Sequence, residues 1–124
     1  MNRLILYLLL FFMFATPAFA HPPSSVTAED DKAKNEIVVI VFHRISTDRH
    51  EKDRTHFIKE IDLEINGEIV DSQTFNYQNH PSIVRARFSM PKHENSDKLV
   101  IKAICSTGSE LDNDILISNL PAYK

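Results

Sequence analysis

The strongest constraint on the fold comes from apolar side chains that alternate with polar ones in short runs. Residues 82–90 and 98–105 each place most of their apolar side chains on one parity, and Cys105 ends the second run. A period of two is typical of a half-buried antiparallel strand. Such runs recur at roughly ten-residue spacing, and no segment after residue 20 has the helical period. The sequence therefore predicts an all-β fold, an immunoglobulin-like antiparallel β-sandwich.

Four further segments complete the predicted strands. The β-branched run at 36–42 predicts a buried strand, and the alternation that follows His56 predicts a half-buried strand ending at Asn66-Gly67. Because Asn and Gly tolerate the positive φ of a two-residue hairpin turn, we expect residues 68–77 to form the return strand. A last strand is expected at 114–118.

The N-terminal segment has the features of a cleaved signal peptide at 1–20. Arg3 supplies a positive charge, residues 4–14 form an apolar run too short to span a bilayer, and Ala18-Phe19-Ala20 fits the small-residue cleavage pattern. Cleavage there would make His21 the first residue of a periplasmic or secreted chain. The sequence thus predicts export.

Removal of the leader would leave 104 residues, enough for one domain with one core. We expect an extended N-terminal arm at 21–35, because Pro22-Pro23 disfavours a helix, and a sandwich domain at 36–124. The mature chain has 13 basic and 17 acidic side chains, a formal charge of −4. No basic cluster suits nucleic acid or anionic lipid, so neither a nucleic-acid partner nor a membrane-associated mature chain is expected.

Histidine and cysteine usage points to a metal ion as ligand. The chain has six histidines and one cysteine, so no internal disulfide can form. Cys105 could be a buried apolar residue, an intermolecular bridge or a metal thiolate. Imidazole and thiolate are strong ligands for iron, copper and zinc. The candidate metal ligands stand at strand ends or in adjoining loops, and they are His21, His43, His50, His56 and Cys105.

The same residues resemble the iron-binding domain of desulfoferrodoxins and superoxide reductases, small immunoglobulin-like domains in which four His and one Cys hold iron. The matching segments are His21-Pro22-Pro23, the run His56-Phe57-Ile58, the turn Asn66-Gly67 and the strand end Ala103-Ile104-Cys105. The family places a further His within three residues of its Cys, whereas Ser106-Thr107-Gly108 follows Cys105 here. The second family His corresponds either to His43, by its strand-end position, or to His50, by its spacing to His56.

The resemblance implies an iron site with superoxide reductase-like activity. Ferrous iron would pass one electron to superoxide at an open position opposite the Cys105 thiolate, and an electron-donor protein would be a partner. The catalytic residues are not assigned by sequence.

Three other hypotheses remain open. A mature N-terminal His21 offers its amine and ring to one ion, as in small periplasmic copper carriers, so copper with His43 or His56 is the alternative cofactor. The hairpin and last strand also resemble the sulfur-carrier subunits of thiosulfate oxidation, which would make the chain a protein-binding module. Finally, a metal-free sandwich would keep Cys105 as a core residue and its histidines at the surface.

Overall fold

A computed structural model of the chain describes residues 23–45 and 56–124. The predicted signal peptide lies outside these residues, as do two of the five candidate ligands, His21 and His50. Within the described ranges, no helix has the length and apolar character that a membrane crossing requires.

The described residues form seven strands in two antiparallel sheets, which confirms the predicted all-β sandwich. The strands are β1 (Ser25–Asp31), β2 (Glu36–Phe42), β3 (Ile58–Ile65), β4 (Glu68–Thr74), β5 (Ile83–Ser89), β6 (Lys98–Cys105) and β7 (Glu110–Leu116), followed by a short 3₁₀ helix (Ile117–Asn119). The first sheet has the order β1-β2-β5 and the second the order β4-β3-β6-β7. Three connections pass between the sheets, β2 to β3, β4 to β5 and β5 to β6.

The core lies between the inward faces of the two sheets, and the apolar side chains of the alternating runs fill it. Along β5 and β6 every second side chain is buried. In β2, Ile37, Val39 and Val41 belong to the core, and Val38 on the opposite face is also fully buried but lies outside the core cluster. The largest fully buried apolar side chains are Phe88, Ile37, Ile58, Ile61, Leu63, Leu99 and Ile101. Packing of these side chains between the sheets is the main favourable contribution to folding.

The hairpin between β3 and β4 has the predicted turn. Asn66 and Gly67 have φ angles of 51° and 89°, the left-handed values that a two-residue turn requires. The Asn66 side chain also donates to the Asp97 carboxylate at 2.9 Å and accepts from the Lys98 N–H at 3.0 Å. Two hydrogen bonds to the Asp97 carboxylate, mainly the one from the backbone N–H of Glu94 and then the one from Asn66, hold the pKa of Asp97 below its usual value. The turn residue therefore also fixes the start of β6.

Two segments differ from the sequence-based expectation. The predicted arm at 21–35 contains β1, which pairs with β2 along its whole length and buries Val26 and Ala28 in the core. Order there therefore comes from backbone pairing and needs no ligand. The last strand starts at Glu110 rather than at residue 114, since Leu111 and Asn113 face inward although the segment is mostly polar. Residues 117–118, expected in that strand, lie in the 3₁₀ helix.

Amide side chains connect the sheets along both lateral edges of the sandwich. Gln73 on β4 donates to the carbonyl of Arg87 on β5 at 2.5 Å. On the other side, Asn113 on β7 donates to the carbonyl of Val26 on β1 at 2.8 Å. Each amide satisfies a carbonyl that an edge strand would otherwise leave unpaired, so the edges are partly protected from further strand pairing.

The C-terminal segment contacts β1 and the Arg87 side chain of β5 in the first sheet. Ala122 forms a parallel bridge with Asp30, and the ring of Tyr123 lies 5.0 Å from the guanidinium of Arg87. Arg87 also pairs with Asp31 at 3.0 Å and with Glu36 at 2.9 Å. The hydrogen bond from Arg87, supported by the backbone N–H of Lys34, holds the pKa of Asp31 below its usual value, against the effect of burial. These contacts join β1, β2, β5 and the C terminus at one corner.

Two isoleucines on neighbouring strands differ in how deeply they are buried. Ile61 on β3 is 0 % exposed and Ile69 on β4 is 60 % exposed. We expect Ile61→Ala to lower the free energy of unfolding by about 2–5 kcal/mol, because it removes buried methyl groups and leaves a cavity. Ile69→Ala should change it by less than about 0.5 kcal/mol. Urea unfolding followed by circular dichroism would measure both values, and equal losses would contradict this assignment of the core.

The ion pair between Asp31 and Arg87 predicts that the free energy of unfolding depends on pH. Because the pKa of Asp31 is lower in the folded chain than its usual 3.8, the unfolded chain takes up this proton first as the pH falls. The stabilisation of the folded chain by ionised Asp31 is complete above pH 3.8 and is lost as the pH falls through the pKa of Asp31 in the folded chain. Asp31→Asn should therefore lower the urea midpoint at pH 7, and the gap to wild type should narrow at pH 2. A gap that stays constant would contradict this role.

Candidate metal centre

Three strand ends carry His43, His56 and Cys105 to one end of the sandwich. His43 follows the last residue of β2, His56 lies two residues before β3, and Cys105 ends β6. Because β3 and β6 are antiparallel neighbours, with Ile58 opposite Cys105, the start of one strand lies beside the end of the other. The first sheet thus contributes one imidazole, and the second sheet contributes an imidazole and the thiol.

The three side chains are in direct contact. The Nε2 atoms of His43 and His56 are 2.9 Å apart, and their rings have centroids 4.5 Å apart with planes inclined by 39°. The Sγ of Cys105 lies 3.2 Å from Nδ1 and 3.7 Å from Nε2 of His56. One ligand atom from each residue lies within 4.8 Å of the other two. His56 therefore stands between the other imidazole and the sulfur.

The cluster is largely shielded from solvent. His43 is 1 % exposed and Cys105 is 0 % exposed, whereas His56 is half-buried. A buried histidine or thiol needs polar partners, because an unpaired polar group away from water is costly. The imidazole of His56 is a polar partner for both His43 and Cys105. His56 is also the most exposed residue of the three.

Backbone hydrogen bonds hold the segments that carry the cluster. The N–H of His43 donates to the Ser82 carbonyl at 2.9 Å, which ties the end of β2 to the start of β5. The N–H of Ser106 donates to the Phe57 carbonyl at 2.7 Å, and the Phe57 N–H donates to the Ser106 hydroxyl at 3.0 Å. This reciprocal pair fixes the residues next to His56 and Cys105, so their side chains are positioned by the sheet ends.

Gln78 and Thr107, both within the described ranges, contact the cluster with polar side chains. Gln78, in the β4–β5 loop, accepts at Oε1 from Nδ1 of His43 at 2.9 Å and donates from Nε2 to the carbonyls of His43 and His80, at 2.7 and 2.9 Å. The hydroxyl of Thr107 donates to Sγ of Cys105 at 3.2 Å. The sequence prediction missed both residues. Thr107 lies in the segment Ser106-Thr107-Gly108, where the resembling family has a further His ligand. No sequence feature pointed to Gln78 as part of the site.

The donor set and its spacing fit a transition metal. Two nitrogens at about 2.0–2.1 Å from one ion and at right angles to each other are about 2.9 Å apart, and an Sγ at about 2.3 Å lies about 3.1–3.8 Å from a nitrogen at angles of 90–120°. The observed separations are 2.9 Å between the Nε2 atoms and 3.7 Å between Sγ and Nε2 of His56. Imidazole and thiolate also favour iron, copper or zinc over calcium or magnesium. The cluster could therefore bind a metal ion.

The five sequence-predicted ligands divide into two groups. The structure brings His43, His56 and Cys105 together in one group that could hold a metal ion. His21 and His50 lie outside the described residues. The other two histidines are absent from this group: His80 is exposed, with Nδ1 accepting from the N–H groups of Ser82 and Ile83 at 3.1 Å, and His93 bonds the Pro91 carbonyl at 2.7 Å near the opposite end of the sandwich.

Comparison of the chain with protein-family models, with curated proteins and with solved structures finds no match.

Metal binding by this cluster predicts a metal-dependent stability. A metal ion that binds only the folded chain, present at about 100 times its dissociation constant, raises the free energy of unfolding by about 2.7 kcal/mol. We expect such an increase with first-row divalent ions, measured as a shift of the thermal midpoint and reversed by a chelator. His43→Ala should abolish it, whereas His93→Ala should retain it. A midpoint unaffected by every ion would contradict metal binding.

Proposed function

We propose that the protein is an exported metal-binding domain in which His43, His56 and Cys105 hold one iron ion, with superoxide reductase-like redox activity. The observation that carries the proposal is the contact of two imidazoles with one thiol at the end of the sandwich, 2.9 Å and 3.2 Å for the closest pairs. These atoms come from remote parts of the chain, at positions 43, 56 and 105. Export is supported by the signal-peptide features of residues 1–20.

The environment of the sulfur favours a metal thiolate over the other two roles of Cys105. An intermolecular disulfide needs an accessible sulfur, and Cys105 is 0 % exposed. A cysteine that only fills the core would have apolar neighbours, whereas Sγ here faces an imidazole at 3.2 Å and a hydroxyl at 3.2 Å. The polar neighbours of Sγ therefore fit a metal ligand better than a residue that only fills the core.

Two features support iron in particular. The immunoglobulin-like sandwich is the fold that the resemblance implies, and His56 and Cys105, two residues on which the resemblance rests, lie side by side. Iron in such a site would supply one-electron reduction of superoxide. The chain's own residues would bind and orient: the imidazoles of His43 and His56 offer neutral nitrogens, Cys105 offers a charged sulfur, and Thr107 donates a hydrogen bond to that sulfur. His21 and His50 remain candidates for further ligands.

The metal content of the protein purified after export tests the proposal. We expect one iron per chain and a visible thiolate-to-ferric absorption band, with reduction of superoxide by the ferrous protein. Cys105→Ser should remove the band, because oxygen replaces the sulfur, and His56→Ala should lower the iron content. His93→Ala is the matched control and should retain both.

Copper is the second candidate, since the pair of imidazoles 2.9 Å apart could hold it without the thiol, together with His21. In that case copper binding should survive Cys105→Ser and should be lost when the N-terminal amine is blocked. A folded protein that binds neither metal would contradict both candidates and would favour the metal-free sandwich, in which Cys105 is a core residue.

A further inference from the structure

Gln78 contacts one ligand of the candidate centre at two places. Its Oε1 is 2.9 Å from Nδ1 of His43, and its Nε2 is 2.7 Å from the carbonyl oxygen of the same residue. A third bond, of 2.9 Å, runs from Nε2 to the carbonyl of His80. The side chain thus ties the β4–β5 loop to the end of β2 and reaches the cluster from behind the imidazole.

The two carbonyls determine which way the amide of Gln78 points. A backbone carbonyl only accepts hydrogen bonds, so the end of the amide that lies between the carbonyls of His43 and His80 must be the NH₂ group. The other end, which faces the ring of His43, is then the oxygen, and an amide oxygen also only accepts. Nδ1 of His43 must therefore carry the proton of this hydrogen bond.

The position of that proton decides which atom of His43 can bind a metal. A neutral imidazole carries one proton, so protonation at Nδ1 leaves Nε2 with a lone pair that can accept a hydrogen bond or bind a metal ion. Nε2 is the atom that faces His56, at 2.9 Å. Proteins usually fix the tautomer and the ring orientation of a metal-binding histidine with a hydrogen-bond acceptor for the ring N–H that does not face the metal.

Resting on the proposed metal site, we propose that Gln78 is a positioning residue that holds His43 in its Nδ1–H form and directs Nε2 to the metal ion. It does not bind the ion itself. The amide and the two carbonyls act as one unit, because reversing the amide would place its NH₂ group against the ring and its oxygen against two oxygens. The site therefore selects one tautomer before a metal ion is present.

The tautomer is measurable without any metal. In the ¹⁵N-labelled, chelator-treated protein, two-bond ¹H–¹⁵N correlations of the His43 ring should show a protonated Nδ1 and a lone-pair Nε2. In Gln78→Leu both tautomers should be populated. A wild-type protein that carries the proton at Nε2 would overturn the inference, whether or not the protein binds metal.

Metal affinity tests the consequence, with Co²⁺ as the probe. Gln78→Leu should weaken binding by about 10- to 100-fold, the usual cost of losing such a partner, and should shift the ligand-field bands. Gln78→Glu keeps an acceptor for Nδ1–H but loses the donor to the two carbonyls, so it should restore part of the affinity. Gln73→Leu is the matched control: it removes an amide that bonds the Arg87 carbonyl at a lateral edge, and its affinity should equal that of wild type.

Two results would count against the positioning role. If Gln78→Glu folds with the wild-type unfolding midpoint and yet binds Co²⁺ as weakly as Gln78→Leu, the amide acts only as a brace for the loop. If Gln78→Leu and Gln73→Leu bind equally well, the hydrogen bond to Nδ1 does not affect the ligand. Failure of wild type to bind any metal would instead contradict the proposed function, and the tautomer measurement would still decide the inference about Gln78.

Discussion

The pairing of β3 with β6 is the interaction on which the candidate site depends. Its antiparallel register sets Ile58 opposite Cys105, so the residues just before β3 lie beside the end of β6. A shift of one residue would turn every side chain of one strand to the other face and would remove Ile61 and Leu63 from the core. The buried Ile61 and Leu63 therefore enforce the register of the main part of the pair, and the register shift between Ile58 and Glu60 then sets Ile58 opposite Cys105, which brings His56 to the sulfur. Site geometry and fold stability have one origin.

Much of the fold follows from the sequence because the period of two is strong where both sheets bury their inner faces. The bounds of β2 and β6 agree with the predicted runs at 36–42 and 98–105, and Asn66-Gly67 forms the predicted turn. The pattern is weaker in β1 and in the first half of β7, where polar residues dominate. These are edge strands with an exposed outer side, so pairing with a neighbour, rather than burial of large apolar residues, decides their conformation.

The candidate site was predictable to the extent that its residues stand at strand ends. The positions of His43, His56 and Cys105 follow from where runs of apolar residues stop. Gln78 was not predictable, because it lies in a loop and its role depends on the carbonyls of His43 and His80, whose orientation no local pattern encodes. Thr107 is similar, since a turn brings its hydroxyl back onto the preceding sulfur. Loop residues that support a site need three-dimensional information.

The placement of the cluster on both sheets has a mechanical consequence. Antibody domains cross-link their sheets by a disulfide between the second and sixth strands of the seven-stranded sandwich, a bond that a chain with one cysteine cannot form. Here the second strand ends next to His43 and the sixth ends in Cys105. An ion shared by these residues would close a loop of about 60 residues, a cross-link that on chain-entropy grounds is equivalent to about 4 kcal/mol for a disulfide. Coordination chemistry would then replace the covalent inter-sheet staple.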